Sequence, residues 1–105
     1  MVDVRVTAAQ NGTRLAPVQV GDTIEIRLSE NPTTGYRWHF TVSANLALDA
    51  DNFLLVDDAG IGTGGERVLR YRALNAGQAS ITAIYSRSWE AGTPQDRFSV
   101  AADIV

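Results

Sequence analysis

Short runs in which every second residue is apolar recur along this chain, and they constrain its fold more than any other feature. Val2, Val4 and Val6 alternate with Asp3, Arg5 and Thr7. Ile24, Ile26 and Leu28 alternate with Glu25 and Arg27, and Tyr36, Trp38, Phe40 and Val42 with Arg37, His39 and Thr41. The pattern returns in Leu69-Tyr71-Ala73, in Ala79-Ile81-Ala83-Tyr85 and in Phe98-Val100-Ala102-Ile104. A period of two places one set of side chains on the buried face of a strand and the other in solvent. No segment carries the 3.6-residue period of an amphipathic helix. Regularly spaced short strands in 105 residues predict a single all-β domain over 1–105. Its expected architecture is an immunoglobulin-like antiparallel β-sandwich of seven to eight strands, with Trp38 in the core.

Turn signals divide the runs. Asn11-Gly12 predicts a hairpin, because both residues accept positive φ. Pro17 places the return segment Thr13–Val20 at a sheet edge or a strand break. Gly21-Asp22 and Ala76-Gly77-Gln78 read as turns. The alternation weakens over Ser43–Asp51, which reads as a loop or an irregular crossing, and Phe53-Leu54-Leu55-Val56 reads as a short strand.

Composition excludes several functions. A net charge of −3 and a pI near 4.9 argue against nucleic acid, which requires a basic face. With no cysteine there is no disulfide, thiolate metal site or cysteine nucleophile. No apolar run approaches the roughly 20 residues that span a bilayer, so no membrane partner is expected. The N-terminal Met1-Val2-Asp3-Val4-Arg5 lacks the pattern of a signal peptide, so a cytoplasmic protein or a mature periplasmic or secreted form is expected, as a monomer. The single histidine, His39, is expected in solvent, and one histidine cannot build a metal site. Asp49, Asp51, Asp57 and Asp58 read as surface loop formers rather than an acid–base pair. No Ser or Thr has an evident base, so the chain is expected not to be an enzyme and to need no cofactor. Asn11-Gly12-Thr13 is a formal glycosylation sequon that its turn role already explains.

Three connections stand out. Asn31-Pro32-Thr33-Thr34-Gly35 is conformationally restricted: Pro32 fixes its own φ, biases Asn31 toward extended backbone, and Gly35 permits a conformation closed to other residues. Gly60-Ile61-Gly62-Thr63-Gly64-Gly65 formally matches G-x-G-x-x-G, but a strand pattern follows it where a dinucleotide site needs a helix. It reads as a hairpin or as a binding loop that exposes its backbone groups. Trp89 lies in Arg87-Ser88-Trp89, beyond a strand end among polar residues; a large aromatic there is either folded back on the core or offered to a partner, and Trp and Arg are the types that anchor interfaces. Counting strands, these are every second connection, so they should share one end of the sandwich.

Taken together, the three motifs resemble those of the chagasin family, protein inhibitors of papain-like cysteine peptidases. Asn31-Pro32-Thr33-Thr34-Gly35-Tyr36 is similar to the family's first loop motif in full. Gly62-Thr63-Gly64-Gly65 matches its G-x-G-G loop. Arg87-Ser88-Trp89 resembles its Arg-Pro-Trp or Arg-Pro-Phe motif, with Ser88 where proline is usual. The resemblance spans nearly the whole chain. It implies a reversible, tight-binding inhibitor that fills a papain-like or cathepsin L-like cleft with three loops. It places Thr33 nearest the peptidase's cysteine–histidine pair, Gly62–Gly65 along the cleft through backbone contacts, Trp89 on the far side, and Arg87 in polar contacts. The alternative reading is an immunoglobulin-like adhesion or carbohydrate-binding module that uses the same loops, with Trp89 stacking on sugar.

Overall fold

The computed structural model describes residues 2–31, 35–55, 65–87 and 95–105. The strands are β1 (Asp3–Thr7), β2 (Thr13–Arg14), β3 (Thr23–Glu30), β4 (Tyr36–Val42), β5 (Leu46–Leu55), β6 (Gly65–Ala73), β7 (Gly77–Arg87) and β8 (Asp96–Ile104). They form two four-stranded sheets, ordered β1-β3-β6-β5 and β2-β8-β7-β4. This is the layout of an immunoglobulin-like sandwich whose first strand is shared between the sheets. Pairing is antiparallel except at the two N-terminal edges, where β1 runs parallel to β3 and β2 parallel to β8.

The alternating residues meet between the sheets. Val6, Ile24, Ile26, Leu28, Leu69 and Tyr71 of one sheet pack against Trp38, Ala79, Ile81, Ala83, Phe98 and Val100 of the other. Phe40 reaches across to Tyr71, with ring centroids 6.4 Å apart. Trp38 is in the core as expected, and His39 on the opposite face of its strand is exposed.

Two expectations are corrected. Asn11-Gly12 does not join a hairpin, because β1 and β2 belong to different sheets. Gly12 does take positive φ, at 80°, but Asn11 does not, at −54°. A 3-10 turn over Ala8–Gln10, capped by Thr7, carries the chain from one sheet to the other. Asn11 then binds the edge of β8: its side-chain amide donates to the Arg97 carbonyl at 3.1 Å and its oxygen accepts from Ser99 N–H at 2.9 Å. The second correction concerns Ser43–Asp51. From Leu46 onward this segment is the first half of β5, and a bulge between Leu48 and Ala50 shifts its register against β6. The bulge puts the alternation out of phase, which hides the strand from a period-two reading. Asp49 and Asp51 are therefore strand residues, paired with Arg72 and Arg67.

On the outer face of the first sheet, Glu25 accepts from Arg27 and Arg70, each at 3.1 Å, and lies 3.3 Å from Arg5. Burial pushes its carboxyl upward, but the Arg27 and Arg70 hydrogen bonds outweigh that and hold it below the usual range.

Candidate functional site

The three singled-out connections join β3 to β4, β5 to β6, and β7 to β8. The strand ends that flank them lie at one end of the sandwich. In the first sheet Glu30 and Leu55 both pair with Gly65. In the second, Tyr36 pairs with Arg87 and Tyr85 with Asp96. Hydrogen bonds then tie the two groups to each other. Asn31 N–H donates to the Tyr85 hydroxyl at 3.2 Å, Trp38 N–H to the Glu30 carboxylate at 2.9 Å, and the Trp38 indole N–H to the Ser29 carbonyl at 2.8 Å.

Two structures support this end. The first is an aromatic column. Trp38 packs on Tyr85 with centroids 4.9 Å apart, Tyr85 stacks on Tyr36 at 5.4 Å, and the Arg87 guanidinium lies 4.6 Å above the Tyr36 ring. A cation over an aromatic face contributes about 0.5–2 kcal/mol according to its desolvation. Arg87, at the root of the third connection, thus grips Tyr36, at the root of the first. The second is an ion cluster that runs from the buried Glu30 to Asp51 on the exposed edge strand β5. Arg67 donates to both oxygens of Asp51, at 2.6 and 2.8 Å, and to Glu30 at 3.2 Å. The Asp51 hydrogen bonds raise the Arg67 pKa above its ordinary value against the opposing effect of burial, and Glu30 adds to the rise. Burial, with Asp51 nearby, also lifts the Tyr71 hydroxyl to about 12. Among the described residues, no buried side-chain polar atom lacks a hydrogen-bond partner.

Of the residues read as functional from the sequence, Asn31, Gly35, Tyr36, Gly65 and Arg87 fall in this end region. Pro32, Thr33, Thr34, Gly62, Thr63, Gly64, Ser88 and Trp89 lie outside the described residues, as do Asp57 and Asp58. Gly35 has φ of 81°, the left-handed conformation expected of it. Gly65 has a different reason to be glycine. A Cβ there would lie 2.0 Å from the Leu54 carbonyl oxygen and 2.9 Å from the Phe53 ring. Gly65→Ala is therefore expected to prise β5 from β6 at its mouth and to lose about 1–3 kcal/mol of stability. Urea unfolding checks this, and an unchanged midpoint would refute the close approach. The sequence reading missed Glu30, Arg67, Asp51 and Tyr85, which fix the strand ends.

Fold and site define an immunoglobulin-like domain that gathers three distinctive connections at one end, the build of a loop-presenting binding protein. Comparison gives it a family: residues 17–102 match the model of the chagasin family peptidase inhibitor I42. The chain belongs to the chagasin family, whose members are peptidase inhibitors and not enzymes. It is 30% identical to chagasin of Trypanosoma cruzi over 103 residues, covering 91% of this chain and 93% of that one. It is 31% identical to amoebiasin-2 of Entamoeba histolytica over 84 residues, covering 71% and 63%. The crystal structure of the cysteine protease inhibitor EhICP2 from Entamoeba histolytica superposes with a TM-score of 0.89 at 25% identity, covering 99% and 96%.

Proposed function

We infer that this chain is a reversible protein inhibitor of papain-like cysteine peptidases, which it blocks by seating three loops from one end of the sandwich in the active-site cleft. The observation that carries the reading is the common end: six strand termini that flank three family motifs converge there. Occlusion needs no nucleophile and no base from the inhibitor, only shape and a site that is ordered beforehand. The pinned strand ends fix where each loop begins and ends, and such restraint lowers the entropy lost on docking.

Within this reading Thr33 lies at the peptidase's cysteine–histidine pair. Asn31, Pro32, Thr34, Gly35 and Tyr36 hold it there. Gly62, Thr63, Gly64 and Gly65 line the cleft through their backbone, and Trp89 anchors the far side beside Ser88. Arg87 acts at least in part from within, through its stack on Tyr36. Membership of a peptidase-inhibitor family favours this reading over a sugar-binding module.

The test is a panel of papain-fold enzymes, papain and a cathepsin L-like peptidase among them, titrated with the purified chain. Stoichiometric inhibition with the inhibitor recovered uncleaved is expected. Enzymes left fully active by micromolar protein would overturn the reading. In the same assay Thr33→Ala should weaken inhibition by about 0.5–1.5 kcal/mol, the worth of one hydrogen bond.

A further inference from the structure

We propose that the Glu30–Arg67–Asp51 cluster is a positioning device, which sets the spacing between the first and second inhibitory loops. The proposal rests on the inhibitory reading above.

Glu30 and Arg67 occupy inward-facing positions that an ordinary sandwich would fill with apolar side chains, and Asp51 meets them from the exposed edge strand. Glu30 continues the buried series Ile24, Ile26, Leu28 on β3, and Arg67 begins the series Leu69, Tyr71, Ala73 on β6. Each of the three residues also sits near a loop root. Glu30 is the last residue of β3, Arg67 follows Gly65 closely on β6, and Asp51 stands on the paired stretch of β5 that leads to Leu55. The Glu30 side chain is 3% exposed and that of Arg67 is 20% exposed, so solvent does little to loosen their pairing, while Asp51 at the sheet edge is 35% exposed and holds Arg67 through two bonds.

The bonding is directional at every point. One Glu30 oxygen accepts from Trp38 N–H of the opposite sheet, the other accepts from Arg67, and the Arg67 fork donates to both oxygens of Asp51. Apolar packing tolerates sliding, whereas a two-pronged guanidinium–carboxylate pair fixes separation and angle. A buried ion pair adds little net stability over well-packed apolar residues. Its gain here is geometric: β3, which feeds the first loop, is locked to β5 and β6, which feed the second, and to β4 beyond the first.

Loss of the lock should reduce the fraction of molecules whose loops are spaced for the cleft, and apparent affinity falls by that fraction. The test compares the wild-type chain with a triple variant, Glu30→Gln, Arg67→Met and Asp51→Asn, against papain. Gln keeps an acceptor for Trp38 N–H, Met keeps volume, and no buried charge is orphaned. The expected result is an unfolding midpoint close to wild type with an inhibition constant about tenfold weaker, carried mainly by slower association. Arg67→Lys keeps the charge without the fork and should also weaken inhibition. The proposal is overturned if either folded variant inhibits like wild type. It is overturned too if the triple variant does not fold, since the cluster would then be a stabiliser. A wild-type chain that leaves papain active sinks the inhibitory reading itself, whereas variants as potent as a potent wild type sink only this proposal.

Discussion

Trp38→Ala is expected to cost about 3–5 kcal/mol of folding stability, the range for deleting a buried tryptophan. The side chain is 7% exposed and does three things at once. It fills the loop end of the core, it packs on Tyr85 at 4.9 Å, and it satisfies the Ser29 carbonyl through its indole N–H. Alanine would leave a cavity, an unpaired carbonyl and a tyrosine without its support. Tyr85 in turn holds Asn31 N–H through its hydroxyl, so the damage would travel to the root of the first loop. Domains of this size are stable by about 5–15 kcal/mol, so the variant should be marginal. A fall in melting temperature of roughly 15–30 °C follows from the usual entropy of unfolding. Trp38→Phe keeps the ring contact and loses the indole bond, so it should fall between. Thermal unfolding followed by circular dichroism measures both. A loss below about 1 kcal/mol in the alanine variant would show that the core closes without this ring.

The sandwich was legible because its strands are half-buried, and half-burial writes itself into sequence as alternation. The common end of the three connections followed from counting strands, and the pairings of Glu30, Leu55, Tyr36 and Arg87 agree with it. Asn11-Gly12 misled in an informative way. The dipeptide announces a turn, and Gly12 takes the positive φ it should. But the local signal says nothing about which sheet receives the next strand. The first half of β5 was hidden by its bulge and by Asp51, an exposed carboxylate that reads as a loop residue until Arg67 is set beside it. The same habit of assigning charge to solvent concealed Glu30 and Arg67. Their phase was in the sequence throughout: Glu30 is in step with Leu28, and Arg67 with Leu69. A carboxylate and a guanidinium continuing two apolar series at the same sandwich end is a signal of an internal pair. Finding it requires knowing that β3 and β6 are neighbours, a fact of topology rather than of local pattern.

The two tryptophans of this chain should separate stability from function. Trp89→Ala is expected to weaken inhibition by about 2 kcal/mol or more, roughly thirtyfold, because buried interface tryptophans are the residues whose truncation is felt most. Folding stability should stay within about 0.5 kcal/mol of wild type if the side chain serves the interface and not the fold. The loss should appear chiefly as faster dissociation, because removing an anchor shortens the life of the complex more than it slows encounter. That kinetic signature differs from the one expected of the Glu30–Arg67–Asp51 variants, where the contact surface is intact and association slows. Trp89→Phe should retain much of the affinity, since the aromatic face survives and the resembling motif accepts either ring. Inhibition constants and unfolding midpoints measured on the same preparations decide the matter. Trp89→Ala with wild-type potency would remove the third connection from the interface. A loss of potency matched by a loss of stability would instead make Trp89 part of the fold, leaving the first two connections to carry the binding.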